Sequence, residues 1–185
     1  MSMEDVEIWC DRCDFKSGSG RTFGRYFYEL KNGQLVDLNR EPGWCYRCEN
    51  IESIENFSDK DFIKNEIDNN ISARQKITTS ISFKLFGHQK KHVMQFEEKI
   101  VQMNYRLFIH EQRKSLPKCL RCGSTDIISV KIPDPPEGAI EELPIMHLKC
   151  GGRLLAKHSD FRVNIILPKL IYTLEGDFIR KETGR

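Results

Sequence analysis

The chain has 185 residues, a hydrophobic fraction of 39%, a charged fraction of 30% and a formal net charge of +2. This length suits one ordinary domain or two small ones, and the lean apolar fraction favours small cores with additional staples. The near-neutral charge excludes a global field that attracts nucleic acid, so such binding would need a local basic patch. No apolar run approaches the roughly 18 residues of a membrane span, and the acidic start of the chain does not resemble a signal peptide. We therefore expect a cytoplasmic protein without membrane contact.

The first predicted module spans residues 1–54 and contains two Cys-x-x-Cys knuckles around a β-hairpin. The β-favouring runs 26–30 and 34–38 flank Asn32-Gly33, which favours a tight hairpin turn because both residues tolerate positive φ. Each knuckle supplies two thiolates from one turn, and two knuckles complete a tetrahedral metal site. We therefore predict one four-cysteine site in this module. Its ligands are Cys10, Cys13, Cys45 and Cys48.

The second predicted segment, residues 55–116, has the apolar periodicity of two antiparallel helices. Isoleucines and leucine recur near a 3.6-residue period between positions 63 and 85, and apolar residues step by three and four between 93 and 107. Gly87 offers a stop between the two helices. The stretch 77–85 also alternates with period two and is rich in β-branched residues, so a strand there stays an alternative.

The third predicted segment, residues 117–185, is a second metal-binding β module. A third knuckle precedes a strand-like run at 126–132, and a histidine with knuckle spacing follows a Pro/Glu-rich loop. The tail predicts two more strands, at 161–167 and 170–179, the second of which contains a tight turn at Glu175-Gly176. Three cysteines and one histidine complete a second four-ligand site. Its ligands are Cys119, Cys122, His147 and Cys150.

All seven cysteines of the chain enter these two predicted sites. In the reducing compartment expected here, paired cysteines bind metal more often than they form disulfides. Zinc fits four thiolate or imidazole ligands, so we expect two Zn²⁺ ions per chain. Four thiolates also hold mononuclear iron, which leaves a rubredoxin-like electron carrier as a remote alternative at the first site. At the second site, His158 competes with His147 for the histidine position.

The knuckles and the intervening hairpin resemble a zinc ribbon. The sequence Cys119-Leu120-Arg121-Cys122-Gly123 and the sequence Cys150-Gly151-Gly152 are similar to ribbon knuckles too. The resemblance covers the first and third segments and not the helices. Zinc ribbons occur in transcription factors, ribosomal proteins, topoisomerases and adaptor proteins, so the resemblance implies a fold and a metal and little about activity. We expect an α+β protein with two zinc-stapled antiparallel β modules linked by a long helical hairpin.

No catalytic motif is present: the sequence has no Gly-x-Ser-x-Gly, no phosphate-cradling glycine loop and no HExxH. Both predicted sites are fully ligated, and a closed zinc site is structural, whereas a catalytic zinc keeps one position free. A zinc hydrolase would return as an option only if His147 were not a ligand. We therefore expect a non-enzymatic interaction or adaptor module that presents its helical hairpin to a protein partner, as a monomer or a homodimer.

Nucleic-acid binding is the alternative function. Two knuckles are near copies, with a tryptophan before the first cysteine and an arginine before the second. The arginines offset the charge of a metal held by thiolates, and the tryptophans pack small cores; both could also form an anion-binding and stacking face. A second basic cluster lies where the helices should join. The candidate contacts are Arg12, Arg47, Lys84, Lys90 and Lys91, with Trp9 and Trp44 as stacking rings.

Overall fold

The computed structural model describes residues 2–57, 60–80, 89–136, 138–164 and 167–183. The chain divides into two compact units. The first combines Met1–Asn56 with Ser115–Arg185 and contains the sheets, and the second is Phe57–Lys114 and contains the α-helices that the structure describes. The protein is therefore α+β. The two β segments expected as separate modules belong to one unit, and this corrects the domain organisation predicted from the sequence.

The β unit contains three sheets within the described residues. Their strand orders are β2-β1-β9-β8, β11-β10-β3-β4 and β6-β5-β7, and neighbours are antiparallel except the parallel pair β3 and β10. The strands are β1 Ser2–Cys10, β2 Lys16–Gly18, β3 Arg25–Glu29, β4 Leu35–Asp37, β5 Arg40–Cys45, β6 Asn50–Glu55, β7 Ile127–Ser129, β8 Glu141–His147, β9 Gly152–Asn164, β10 Lys169–Tyr172 and β11 Phe178–Glu182.

The pairing of β1 with β9 joins the start of the chain to a strand in its second half. Ser2 lies opposite Asn164 and Cys10 lies opposite Leu154, with a register shift between Glu4 and Val6. The sequence did not predict this pairing because strand signals report local periodicity and contain no information about a partner some 150 positions away. A second connection of the same kind places β7 beside β5.

Two turns predicted from the sequence are confirmed. Strands β3 and β4 form the expected antiparallel hairpin, in which the Leu30 N–H donates to the Gln34 carbonyl over 2.9 Å. Gly33 adopts a φ of 80°, which a side chain would disfavour. Between β10 and β11, the Thr173 N–H donates to the Asp177 carbonyl over 2.8 Å, with Gly176 at a φ of 76°. The corresponding tail strands begin and end at different residues from those expected.

The main apolar cluster of the β unit draws on both halves of the chain. It packs side chains of β1, β8 and β9 against those of β5 and β6. Trp44 is buried in this cluster, so its role is the packing role considered for the tryptophans. The buried members are Val6, Ile8, Cys10, Trp44, Ile51, Val130, Leu143, Leu154 and Ala156.

In the described part of the helical unit, α1, Lys60–Thr79, packs against α2, Lys90–Gln112. Positions 77–79 are helical, and positions 81–85 of the ambiguous stretch lie outside the described residues. Among the apolar residues that step by three and four between 93 and 107, Val93 is buried and the others are half-buried, because two helices cannot enclose each other. Neither helix is long and apolar enough to cross a membrane, as far as the described residues were searched.

Leucine substitutions test the shared core. Leu154 is 0% exposed at the centre of the apolar cluster, so Leu154→Ala should lower the free energy of unfolding by about 2–5 kcal/mol through lost burial and a cavity. Leu116 is 69% exposed, and Leu116→Ala should change it by less than about 0.5 kcal/mol. Urea unfolding of the metal-loaded protein measures both. Equal effects of the two substitutions would contradict the placement of β9 in the core.

Candidate metal centres

The structure gathers the eight predicted ligands into two clusters, each of which takes one knuckle from each half of the chain. In each cluster the potential ligand atoms all lie within 4.8 Å of one another, so each could hold a metal ion. Cluster 1 consists of Cys10, Cys13, His147 and Cys150. Cluster 2 consists of Cys45, Cys48, Cys119 and Cys122.

This grouping corrects the pairing of the knuckles predicted from the sequence, which followed chain order. Cys10 ends β1 and pairs with Leu154 on β9, so the first knuckle meets the histidine knuckle just before β9. Cys45 ends β5 and lies opposite Ile127 on β7, so the second knuckle meets the third. The sheet pairings therefore determine which knuckles share an ion, and the intervening hairpin does not.

Cluster 1 brings three sulfurs and one ring nitrogen together. The Cys10 and Cys150 sulfurs are 3.4 Å apart, and the His147 Nδ1 atom lies 3.2 Å from the Cys13 sulfur and 3.3 Å from the Cys150 sulfur. Four ligands at zinc–sulfur and zinc–nitrogen bond lengths around one centre would lie about 3.5–3.8 Å apart. The cluster therefore needs only a small expansion to hold a tetrahedral ion.

Cluster 2 is built from four sulfurs. Cys45 and Cys122 are separated by 3.5 Å, and Cys48 and Cys119 by 4.0 Å, which brackets the spacing expected around a tetrahedral ion. Cys45 and Cys119 are fully buried, whereas the other two are half-buried. All seven cysteines of the chain are free thiols, and the sulfur–sulfur distances exceed the roughly 2.05 Å of a disulfide.

Thiol ionisation differs between positions in these clusters. In the metal-free protein, burial raises the pKa of Cys48 and of Cys119 above the ordinary thiol value. Burial also acts on Cys10, but hydrogen bonds from the Arg12 N–H and the Cys150 thiol outweigh it and lower the Cys10 pKa. Only the thiolate binds metal, so metal entry must displace protons, above all from Cys48 and Cys119.

Three of the four knuckle turns end in a residue with left-handed backbone, and N–H···S bonds also shape the turns. Gly123 and Gly151 adopt φ values of 72° and 65° directly after the last ligand of their knuckles. Glu49 occupies the same position with a φ of 49°, so the ribbon-type turn forms there without glycine. The Cys48 N–H donates to the Cys45 sulfur over 3.5 Å, a contact that fixes the turn.

Gly152, at the start of β9, was named only as part of a ribbon-like knuckle in the sequence, and the structure shows why a glycine is needed beside cluster 1. A Cβ atom at this position would clash with the Cys10 sulfur and would lie 2.8 Å from Asp11 Oδ1. Asp11 in turn accepts hydrogen bonds from the Arg153 N–H over 2.8 Å and from its Nε over 2.9 Å. The Arg153 side-chain hydrogen bond keeps the pKa of Asp11 below its usual range. The hydrogen bonds between Asp11 and Arg153 therefore hold the turn between Cys10 and Cys13 against β9.

The rings around His147 connect the two clusters. Phe15 lies 4.8 Å from the His147 ring and Trp44 lies 5.8 Å from it, measured between ring centroids. Trp44 directly precedes Cys45, a ligand of cluster 2. A salt bridge between Glu49 and Lys149 makes a further link between the knuckle loops. The two clusters are therefore neighbours within one folded unit.

His158, the competing histidine, lies away from both clusters. It is on β9 opposite Val6, and its Nε2 atom is 3.2 Å from Asp134 Oδ1. The β-strand spacing explains this placement, because β9 starts at Gly152 and carries His158 along the sheet away from the knuckle. The histidine that joins the three cysteines of cluster 1 is His147.

The basic residues considered for nucleic-acid contact belong to different units. Arg12 and Arg47 are exposed on the knuckles of different clusters, whereas Lys90 and Lys91 are exposed at the start of α2. Lys84 lies outside the described residues. The third knuckle arginine, Arg121, has a partner that the sequence did not predict: its Nη1 atom is 3.0 Å from Oε1 of the buried carboxylate of Glu52.

Comparison with known proteins gives no family assignment: no protein-family model, no curated protein and no solved structure matches the chain. The chemistry of the two clusters and the surfaces of the two units therefore carry the functional argument.

Paired cysteine substitutions test the grouping of the knuckles. Cys10→Ala with Cys150→Ala removes two ligands from one cluster and should lower the bound metal from two ions to one per chain. Cys10→Ala with Cys45→Ala disables both clusters and should remove both ions. Element-resolved metal content after dialysis measures each variant. Pairing in chain order requires the reverse result, in which the first variant loses both ions and the second loses one.

Proposed function

We propose that the chain is a zinc-binding, non-enzymatic interaction module with two structural zinc sites. Each cluster offers four ligand atoms, which is the complete coordination number of tetrahedral zinc. A complete protein ligand set leaves no position for a reactive water, so the ions would act as staples for the β unit. The ligand chemistry supports zinc because His147 adds an imidazole nitrogen to the three thiolates of cluster 1.

The exposed apolar stripe on α2 is the observation that carries the interaction function. Met94, Val101 and Phe108 are 60%, 49% and 43% exposed. They are spaced seven residues apart, so they fall along one side of the helix. Exposed apolar side chains are ordinary when scattered, but a line of three on one helix face is typical of a binding surface.

The stripe has the composition of a docking face for an amphipathic protein segment. The exposed charged residues three or four positions from Val101 and Phe108 are Glu97, Glu98 and Glu111, whereas Lys90 and Lys91 lie at this spacing before Met94. Apolar anchors at positions i, i+7 and i+14 suit an amphipathic helix laid along α2. The carboxylates beside Val101 and Phe108 favour a partner segment with basic residues opposite them, and they disfavour a nucleic-acid backbone along this part of the helix.

Photocrosslinking from the stripe tests this proposal. p-Benzoylphenylalanine in place of Val101 should give an adduct with one particular protein in living cells. The same substitution at Lys99, which is also exposed on α2 but lies off the stripe, should not. The captured protein can then be purified, and its affinity for the zinc-loaded chain can be measured by titration calorimetry.

A charge in the stripe supplies the second readout. Val101→Glu should weaken this affinity at least tenfold, about 1.4 kcal/mol, because a carboxylate must then be desolvated in an apolar contact. Lys99→Glu introduces the same carboxylate off the stripe and should leave the affinity unchanged. An adduct formed only between two copies of the chain, or equal effects of the two substitutions, would contradict the proposal.

A further inference from the structure

A cavity of about 410 Å³ in the β unit lies outside the metal clusters. We propose that it binds a nucleoside phosphate, with the phosphate held by its cations and the base stacked on its aromatic rim. The inference does not depend on the helical partner proposed above, because every residue that carries it belongs to the β unit. The residues used in the argument are Arg21, Glu52, Arg121, Tyr172, Phe178 and Lys181.

One buried carboxylate positions two guanidinium groups at this cavity. Glu52 is 2% exposed, and its Oε1 atom accepts hydrogen bonds from Arg21 Nη2 over 2.7 Å and from Arg121 Nη1 over 3.0 Å. Burial raises the pKa of Glu52, and the neighbouring Arg21 opposes that shift. Both arginines are therefore held in place by a group that itself faces almost no solvent.

The cavity has a surplus of positive charge. Lys181 lines it together with the two arginines, so three cations face one carboxylate. The Arg121 side chain is 57% exposed and can reach a ligand while it remains bonded to Glu52. Guanidinium groups present several N–H donors and bind phosphate oxygens through charge-assisted hydrogen bonds. An anion with several acceptor oxygens is the ligand that this arrangement suits.

Aromatic rings provide the second half of the site. Tyr172 is buried, and its hydroxyl donates to the Leu120 carbonyl over 2.8 Å. Phe178 packs edge-on against it at 5.7 Å between centroids, yet remains 55% exposed. A large apolar ring that lines a cationic cavity and stays exposed offers a face on which a planar base can stack.

The size of the cavity and the combination of cations with rings favour a nucleoside phosphate over a bare phosphate. The cavity falls within the usual range of about 300–1,000 Å³ for small-molecule sites, and a phosphate ion would occupy a small part of it. The same chemistry is present in a free mononucleotide and in the 5′-terminal nucleotide of a single strand. The experiment therefore includes both.

Cluster 2 positions this site. Arg121 stands between the ligands Cys119 and Cys122, so the knuckle that binds the metal also orients the guanidinium toward Glu52. The Leu120 carbonyl of the same knuckle accepts a hydrogen bond from the Tyr172 hydroxyl. The turn between Cys119 and Cys122 therefore positions both the guanidinium of Arg121 and the aromatic ring of Tyr172.

Titration calorimetry of the full-length metal-loaded protein tests the site with adenosine 5′-monophosphate as the probe. We expect it to bind at least tenfold more tightly than adenosine or inorganic phosphate, because neither fragment engages both halves of the site. Arg121→Ala should weaken binding of the monophosphate at least tenfold. Arg47→Ala is the matched control, since Arg47 holds the same position in the other knuckle of cluster 2 and does not line the cavity.

Two further variants test the cationic half and the aromatic half of the site separately. They keep the proposal testable if the Arg121 variant does not fold. Lys181→Gln, on an exposed strand residue, should weaken the monophosphate and inorganic phosphate alike. Phe178→Ala should weaken the monophosphate and leave inorganic phosphate unchanged. Metal content and circular dichroism establish that each variant is folded. No binding of the monophosphate at millimolar concentration, or equal losses in the Arg121 and Arg47 variants, would overturn the proposal.

Binding measurements with an oligonucleotide distinguish a free mononucleotide from the 5′-terminal nucleotide of a single strand. An eight-residue deoxyadenosine strand with a 5′-phosphate should bind at least as tightly as the monophosphate if the site takes strand ends, and should lose affinity without that phosphate. Weaker binding of the strand than of the monophosphate assigns the site to free mononucleotides. Strand binding that is unaffected by Arg121→Ala and Phe178→Ala, with no binding of the monophosphate, would contradict the site.

Discussion

Each candidate metal cluster takes one knuckle from the first half of the chain and one from the second, and under the proposed zinc binding the rest of the β unit would depend on this crossed arrangement. Ligands separated by up to 140 positions converge: the Cys10 and Cys150 sulfurs are 3.4 Å apart. In zinc-finger peptides, the binding free energy of structural zinc is about 10–16 kcal/mol. This is comparable with the free energy of unfolding of an ordinary domain, about 5–15 kcal/mol. Two such ions would offset much of the entropy lost when the chain brings its ends together. With this contribution from zinc, a unit with a low apolar content could still fold.

The same crossed arrangement explains features that look unrelated in the sequence. Gly152 lacks a side chain because the Cys10 sulfur occupies the space, and Trp44 contacts His147 while it leads into Cys45. The knuckle between Cys119 and Cys122 also holds the arginine of the cationic cavity. The β unit therefore combines metal sites with a potential ligand site, whereas the apolar stripe of α2 belongs to a separate unit. If both proposed surfaces bind their ligands, the module would connect other molecules through two separate units.

The sequence predicted those features that depend on neighbouring residues. Knuckle spacing identified the cysteines and His147 as the residues that meet, Asn32-Gly33 identified the β-hairpin, and apolar periodicity identified both helices. It did not predict the grouping of the knuckles, because any two of them can satisfy a tetrahedral ion and the choice is made by the β1–β9 and β5–β7 pairings. Strand periodicity contains no partner information, so two modules were expected where one unit forms. The Glu52 carboxylate escaped notice for a similar reason: its arginines come from positions 31 and 69 residues away.

Cleavage of the chain between residues 80 and 89 followed by native mass spectrometry tests the crossed ligation most directly. Each zinc ion would take one knuckle from each fragment, so the cut protein should remain a complex of both fragments with two zinc ions. Removal of zinc by a chelator, in urea that the zinc-loaded complex withstands, should then separate the fragments. Fragments that separate with one zinc ion each would show ligation in chain order and would contradict the account.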